Sequence, residues 1–253
     1  MKAVSSLIVL ACSCAAASVA WSDTITIRAD SWCPMNCEPG TTQPGYMIEF
    51  AREIAEQNGH SVDYQTMPWR RAVDSVREGQ FDCVVGAYVE DAPDFRFPDE
   101  HWGLDQTAVY AKADSDFAYD GLDSLQGEKI GVIGGYAYSD AFDAFAEQNP
   151  DVVQWLNADN ALENNIRKVL AGRLTATLES PAVMGHKLKS MGVQSQMKRV
   201  GYLGEGSEMY IACSPAKAAT AGYVTMFSEG TRQLRDSGRL QEILADYGLE
   251  DWK

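Results

Sequence analysis

The stretch Val76-Arg77-Glu78-Gly79-Gln80-Phe81-Asp82-Cys83-Val84-Val85 is echoed in the second half of the chain by Val169-Leu170-Ala171-Gly172-Arg173-Leu174-Thr175-Ala176-Thr177-Leu178. Each reads as the end of an amphipathic helix, a glycine stop and a short buried strand. A helix that closes on glycine and turns at once into an apolar run is one arm of a parallel α/β unit. One such arm in each half predicts two α/β lobes, and a cleft between lobes is a common place for a small ligand.

Working outward from the first stretch, Thr24 to Ala29 alternates as a strand, and Tyr46 to Asn58 places Met47, Ile48, Ala51, Ile54 and Ala55 on one helical face. Ser61 to Met67 reads as a strand, Pro68 opens a helix that runs to Glu78, and Phe81 to Ala87 is the echo strand. Glu90 to Asp105, with Pro93, Pro98 and Gly103, reads as a connection. In the second half, Thr107 to Ala111 and Lys129 to Ile133 are strands, and Gly134-Gly135-Tyr136-Ala137-Tyr138-Ser139 opens a helix to Gln148. Val152 to Trp155 is a short strand candidate. Asn160 with Glu163 forms a capping-box pattern before a helix that ends at Gly172. Ser180 to Met191 reads as helix and Glu208 to Cys213 as strand. Ser214-Pro215 is expected to start a long helix to Gly238, and a last helix runs from Leu240 to Tyr247.

The chain has 253 residues and a formal net charge of −15. Such acidity argues against nucleic acid and anionic membrane surfaces as partners. Lys2, the small apolar run to Ala17 and Ser18-Val19-Ala20 read as a signal peptide over residues 1–20, cleaved after Ala20 or after Ser22. The expected location is the periplasm, with a lipid anchor at Cys12 as the alternative. Export permits disulfides. Cys33 and Cys37, close together in a turn-rich stretch, are expected to form one; Cys83 and Cys213 fall in apolar strands and read as buried thiols, with a pairing between them as the alternative. His60, His101 and His186 lie near no cysteine pair, and neither a metal site nor a cofactor motif is visible.

Several further stretches carry a resemblance. They are Gly45-Tyr46-Met47-Ile48-Glu49-Phe50-Ala51, Gly79-Gln80-Phe81-Asp82, Phe97-Pro98-Asp99-Glu100 and Leu125-Gln126-Gly127-Glu128-Lys129-Ile130-Gly131-Val132. Later in the chain come Gly172-Arg173-Leu174-Thr175-Ala176, Met209-Tyr210-Ile211-Ala212-Cys213 and Asp236-Ser237-Gly238-Arg239-Leu240 with Ile243. In this order they resemble the bacterial extracellular solute-binding proteins of family 3, the polar amino-acid type. The resemblance implies a two-lobed periplasmic-binding-protein-like fold of type II, each lobe a mostly parallel sheet flanked by helices. It implies a discontinuous first lobe, residues 23–103 and 208–253, a second lobe over 104–207, and a two-strand hinge. It also implies a monomer that delivers a small-molecule solute to the permease of an ABC transporter.

The ligand positions depart from that pattern. Amino-acid binders of the family carry Thr-x-x-Arg after the first echo strand, where Arg takes the ligand carboxylate in a bidentate fork. Here the stretch is Gly86-Ala87-Tyr88-Val89-Glu90-Asp91-Ala92-Pro93-Asp94, and Arg96 is the nearest arginine. After the second echo strand, where the family places an Asp for the ligand ammonium, stand Glu179 and Ser180. A one-residue shift in a strand exchanges its faces, so either could point inward. The expected ligand contacts are Trp32, Trp69, Arg70, Tyr88, Glu90, Arg96, Tyr136, Tyr138, Ser139, Glu179 and Ser180. Their aromatic faces and polar edges suit a cyclic, aromatic or cationic solute, and the helix start at Tyr136 to Ser139 offers free N–H groups to an anion or carbonyl. The reading is a binder, not an enzyme. The alternatives are a cyclohexadienyl-dehydratase-like enzyme with Glu179 as general acid, or a sensing module for a separate receptor.

Overall fold

The computed structural model describes residues 22–253; the expected signal peptide, its cleavage after Ala20 and Cys12 lie outside them. The described residues begin with a β-α-β-α-β run: β1 (Thr24–Ala29), α1 (Tyr46–Gln57), β2 (Ser61–Thr66), α2 (Trp69–Arg77) and β3 (Cys83–Ala87). After a short crossing strand β4 (Leu104–Asp105) come β5 (Ala108–Lys112), β6 (Ile130–Ile133), α3 (Asp140–Gln148), β7 (Val153–Leu156), α4 (Ala161–Leu170) and β8 (Ala176–Glu179). The chain continues through α5 (Pro181–Met191), β9 (Met197–Tyr202) and the second crossing strand β10 (Ser207–Glu208). It ends with β11 (Tyr210–Cys213), α6 (Thr220–Asp236) and α7 (Arg239–Asp246).

Two sheets result. The first has the order β11-β3-β1-β2, with β1 parallel to both β2 and β3, and β11 antiparallel at its edge. The second has the order β7-β6-β8-β5-β9, with parallel pairs β6/β7 and β6/β8 and antiparallel pairs β5/β8 and β5/β9. The chain passes between them at β4 and β10, which pair antiparallel, Asp105 with Ser207 and Leu104 with Glu208.

Burial follows the apolar periodicity. The inner face of α1, with Met47, Ile48, Ala51 and Ile54 fully buried, packs on β2 and α6. Gly230 permits that approach, since a Cβ there would stand 2.4 Å from the Ile54 side chain. Trp102 is fully buried edge-on to Phe50 and Phe227, and its indole N–H donates to Thr231 at 2.8 Å. The buried Asp82 carboxylate accepts from Thr26 N at 2.8 Å and Thr26 Oγ1 at 2.6 Å, and it pairs with Lys217. A buried charge of this kind is held only where such partners exist.

Three expectations change. Cys83 and Cys213 are not free thiols: β11 lies antiparallel to β3 with these residues directly opposite, Cα atoms 4.0 Å apart, and they form a disulfide. Cys33 and Cys37 form the local one. The helix expected from Ser214-Pro215 starts only at Thr220. The reason is local: the Ser214 and Lys217 carbonyls accept from the Arg96 guanidinium at 2.7 and 2.8 Å, and from Thr220 Oγ1 as well. Those acceptors are therefore turned out of a helical ladder. Asn160 does not cap α4 through its side chain either. Its Oδ1 accepts from Asn164 Nδ2, and Glu163 pairs with Arg167.

Candidate functional site

The C-terminal ends of β1, β3, β6 and β8 converge between the two sheets, the place where open α/β sheets bind ligands. Past β1 come Asp30 and Trp32; past β3, Tyr88 and Asp91; past β6, Tyr136; at the end of β8, Glu179 and Ser180. Trp69 is the first residue of α2 and follows Pro68, whose own φ of −53° is fixed by its ring at the N-cap.

Contacts cross from one sheet to the other at three points. Trp32 Nε1 donates to Glu179 Oε1 at 2.8 Å. Tyr136 OH donates to Asp30 Oδ2 at 2.5 Å. The Ala137 N–H donates to Asp91 Oδ1 at 2.9 Å, while Asp91 Oδ2 accepts from Tyr88 N at 2.9 Å. Asp105, on the crossing strand β4, ties the two ends together: it accepts from Tyr88 OH at 2.9 Å and from Ser180 Oγ at 2.6 Å. The aromatic walls meet edge to face, Trp32 against Tyr88 and Trp69 against Tyr136.

Two small cavities flank the Tyr136–Asp30 contact. One, of about 10 Å³, is lined by Asp30, Trp32, Trp69, Tyr88, Asp91 and Tyr136. The other, of about 20 Å³, reaches Glu179, Asp30 and Lys187. Each has room for a water or two. Beyond Tyr88 a recess of about 450 Å³ is lined by Glu90, Tyr138, Ser139, Asp140 and Glu205.

Four carboxyl groups share this small volume without a counter-charge. Among the described residues, none of Asp30, Asp91, Asp105 and Glu179 forms an ion pair; Lys187 borders the cavity without reaching one. Burial disfavours the charged form of a carboxyl. It pushes Glu179 up to about 8, against the opposing pull of the Trp32 and Ser180 N–H groups, with Asp30 and Asp105 adding repulsion. Burial likewise lifts Asp91 to about 7 and Asp30 to about 6, and raises Asp105. Asp30 and Asp91 keep part of their surface exposed, whereas Glu179 is only 3% exposed. Its Oε2 receives no hydrogen bond from any described residue, and neither does the buried Trp69 indole N–H find an acceptor. That N–H lies near Asp91 and favours its ionised form, but falls outside hydrogen-bond geometry.

Of the residues expected from sequence, the structure brings Trp32, Trp69, Tyr88, Tyr136, Glu179 and Ser180 to one place. Glu179 and Ser180 both face it, because the chain turns into α5 at Ser180 and strand alternation no longer applies. Tyr138 and Ser139 stand at the outer recess. Ser139 caps α3 by accepting from Phe142 N, and the Tyr138 hydroxyl accepts from Ile133 N at 2.8 Å. Glu90 is exposed at the same recess. Arg70 is exposed, with its stem against Gly135. Arg96 is a correction: its guanidinium is committed to the Ser214 and Lys217 carbonyls and Thr220 Oγ1, and it lines none of these cavities. The N–H expected to await an anion near Tyr136 already holds the protein's own, Asp91. Asp30, Asp91 and Asp105 are additions. An acid within three residues of a tryptophan or tyrosine at the ends of β1, β3 and β4, Asp30 by Trp32, Asp91 by Tyr88 and Asp105 by Trp102, is the trace they leave in the sequence.

A sequence profile described as "Bacterial extracellular solute-binding proteins, family 3" matches residues 25–250. Among curated protein sequences none matches the chain. Solved structures share the fold at low identity. A histidine kinase sensor domain similar to periplasmic binding proteins is 21% identical, with 90% of this chain and 98% of that one covered and a TM-score of 0.75. A chain from work on glutathione import through a cystine ABC importer of Streptococcus mutans is 16% identical, covering 91% and 97%, at 0.76. An ABC uptake transporter substrate-binding protein from Streptococcus pneumoniae with bound histidine is 18% identical, covering 88% and 92%, at 0.70. At these identities the likeness shows the type II periplasmic-binding-protein fold.

Proposed function

Because this chain belongs to the bacterial extracellular solute-binding proteins, family 3, we propose that it is an exported monomer that captures a small polar or aromatic solute between its two sheets and presents it to a membrane permease. The family and its structural neighbours are mostly binding proteins rather than enzymes. The observation that carries the reading is the set of side chains reaching across the cleft, Trp32 to Glu179, Tyr136 to Asp30 and Asp91 to Ala137 N. Each joins a group before β4 to a group between β4 and β10. The proposed lobes, residues 23–103 with 208–253 and residues 104–207, hinge at the β4/β10 ladder. A solute that touches both lobes binds the closed arrangement better than an open one and shifts the population toward it. The residues proposed to make the contacts are Trp32, Trp69, Tyr88, Tyr136, Glu179 and Ser180, together with Asp30, Asp91 and Asp105.

A thermal-shift screen of the purified protein against amino acids, polyamines, cyclic acids and quaternary amines tests this. A ligand specific for the folded state raises the melting temperature, by an amount that grows with its concentration over Kd. At least one compound is expected to do so, and Trp69→Ala is expected to remove most of the rise. Stabilisation that survives Trp69→Ala undiminished contradicts the placement of the site.

A further inference from the structure

We propose that the solute is a small organic cation that carries N–H donors and no carboxylate; once the Tyr136–Asp30 contact parts and joins the two small cavities, Glu179, Asp30 and Asp91 hold it among the rings of Trp32, Trp69 and Tyr136. The inference rests on the solute-binding reading above and specifies the solute class for that same site.

Three independent observations point this way. The first is an acceptor with nothing to accept from. Glu179 is 3% exposed, its Oε1 takes two N–H donors, and its Oε2 takes none from the described residues while the side chain borders the cavity. A buried carboxylate oxygen left in this condition is expensive. A donor brought by the solute satisfies it, and a charged donor does so best.

The second observation is that the protein has closed the places where a carboxylate could bind. The main-chain N–H groups of Tyr88 and Ala137, one from each side of the cleft, both donate to Asp91. An internal carboxylate thus occupies the main-chain donors that an incoming one needs. Arg96 is tied to main-chain carbonyls. Arg70 is exposed and pairs with no acid among the described residues. An amino-acid carboxylate brought here meets Asp30, Asp91 and Glu179 on the cavity walls, and among the described residues Lys187 is the one cation that lines either cavity.

The third observation is the surroundings. Indole and phenol rings attract a cation through their faces, and Trp32, Trp69, Tyr88 and Tyr136 wall the inner cavity. The outer recess is lined by Glu90, Asp140 and Glu205 and by no lysine or arginine. Its field attracts a cation toward the inner acids and repels an anion. Requiring N–H donors separates the class from quaternary amines, which present a cationic surface but cannot satisfy Glu179 Oε2.

Matched pairs that differ only by a carboxylate give the test. Titration calorimetry of the purified protein at pH 8 compares agmatine with arginine, putrescine with ornithine, and tyramine with tyrosine. In at least one pair the decarboxylated member is expected to bind tenfold or more tightly than its amino acid, and tetramethylammonium is expected to bind more weakly than that amine. Glu179→Gln is expected to weaken that amine at least tenfold while circular dichroism and the melting temperature show an intact fold; Asp91→Asn serves as the second variant with the same readout. Amino acids that bind as tightly as their amines, or an affinity unchanged by both variants, overturn the inference. Binding of an acid or a neutral solute with no amine bound overturns the inference and leaves the solute-binding reading standing. If none of these compounds nor any in the thermal-shift screen binds, both fall.

Discussion

Replacing Cys83 and Cys213 by serine is expected to lower the melting temperature by roughly 10 °C or more. The disulfide joins residues 130 apart in sequence. The loop it closes contains the whole of the second sheet, from β5 to β9. In the chain-entropy account a link across a loop of that order removes about 4–5 kcal/mol of freedom from the unfolded chain. For a protein of this size each kcal/mol moves the melting temperature by about 2–4 °C. Both cysteines are fully buried, and the link ties the edge strand β11 to β3, which lies between β1 and β11. The serine hydroxyls add the cost of two polar groups in an apolar layer. The pair Cys33–Cys37 is the internal control. It closes a separation of only 4 residues, and its removal is expected to cost far less. Scanning calorimetry of the two double variants decides between them. A Cys83→Ser/Cys213→Ser protein that melts within a few degrees of the parent contradicts the account.

Glu179→Gln is expected to stabilise the protein at pH 8 and to leave it unchanged near pH 4. In the folded protein burial holds the Glu179 proton to about 8, against an ordinary value of 4.5. Between those values the unfolded chain has lost a proton that the folded chain retains. Folded protein therefore binds more protons, and stability falls as pH rises. The contribution is fully present below the unfolded value and is lost as pH climbs through the folded one. The groups around Glu179 do not reverse the sign. Trp32 and Ser180 N–H groups favour its charge, Asp30 and Asp105 oppose it, and Lys187 makes no ion pair with it. Carrying the charge at pH 8 then costs on the order of a few kcal/mol, limited by how readily the cleft opens to water. Glutamine keeps an acceptor for the two N–H donors and places an uncharged amide at the unpartnered position. Melting temperatures of parent and variant from pH 4 to pH 8 should coincide at the acid end and diverge toward the alkaline end. Curves that stay parallel, or a variant less stable at pH 8, contradict it. Read with the calorimetry above, this predicts one substitution that strengthens the fold and weakens the site.

The secondary structure was largely legible because apolar periodicity records which face of each element is buried. Thr24–Ala29 is a strand over its whole expected length, and Ile25 and Ile27 alternate inward as the sequence does. The strand Met197–Tyr202 went unread: it is an edge strand, its Lys198 and Arg199 face solvent, and only its pairing with β5 makes it a strand. The start of α6 was misplaced for a comparable reason, since Ser214-Pro215 is a sound local start and Arg96, far off in sequence, takes the carbonyls. The disulfide between Cys83 and Cys213 likewise depends on which strand lies beside β3. In the site, the aromatic residues and Glu179 were readable from their positions at strand ends. Asp91 was not, because its meaning lies in the Ala137 N–H, which the fold supplies from the other side of the cleft.

The central claim is that a solute bridges the two sheets and favours their closure, and small-angle scattering tests it most directly. The compound that gives the largest thermal shift is added at saturation, and profiles are compared with those of the protein alone. The account predicts a smaller radius of gyration on binding, and a smaller change when Trp32→Phe removes the indole N–H that reaches Glu179. A compound that binds tightly and leaves the profile unchanged contradicts closure as the mechanism.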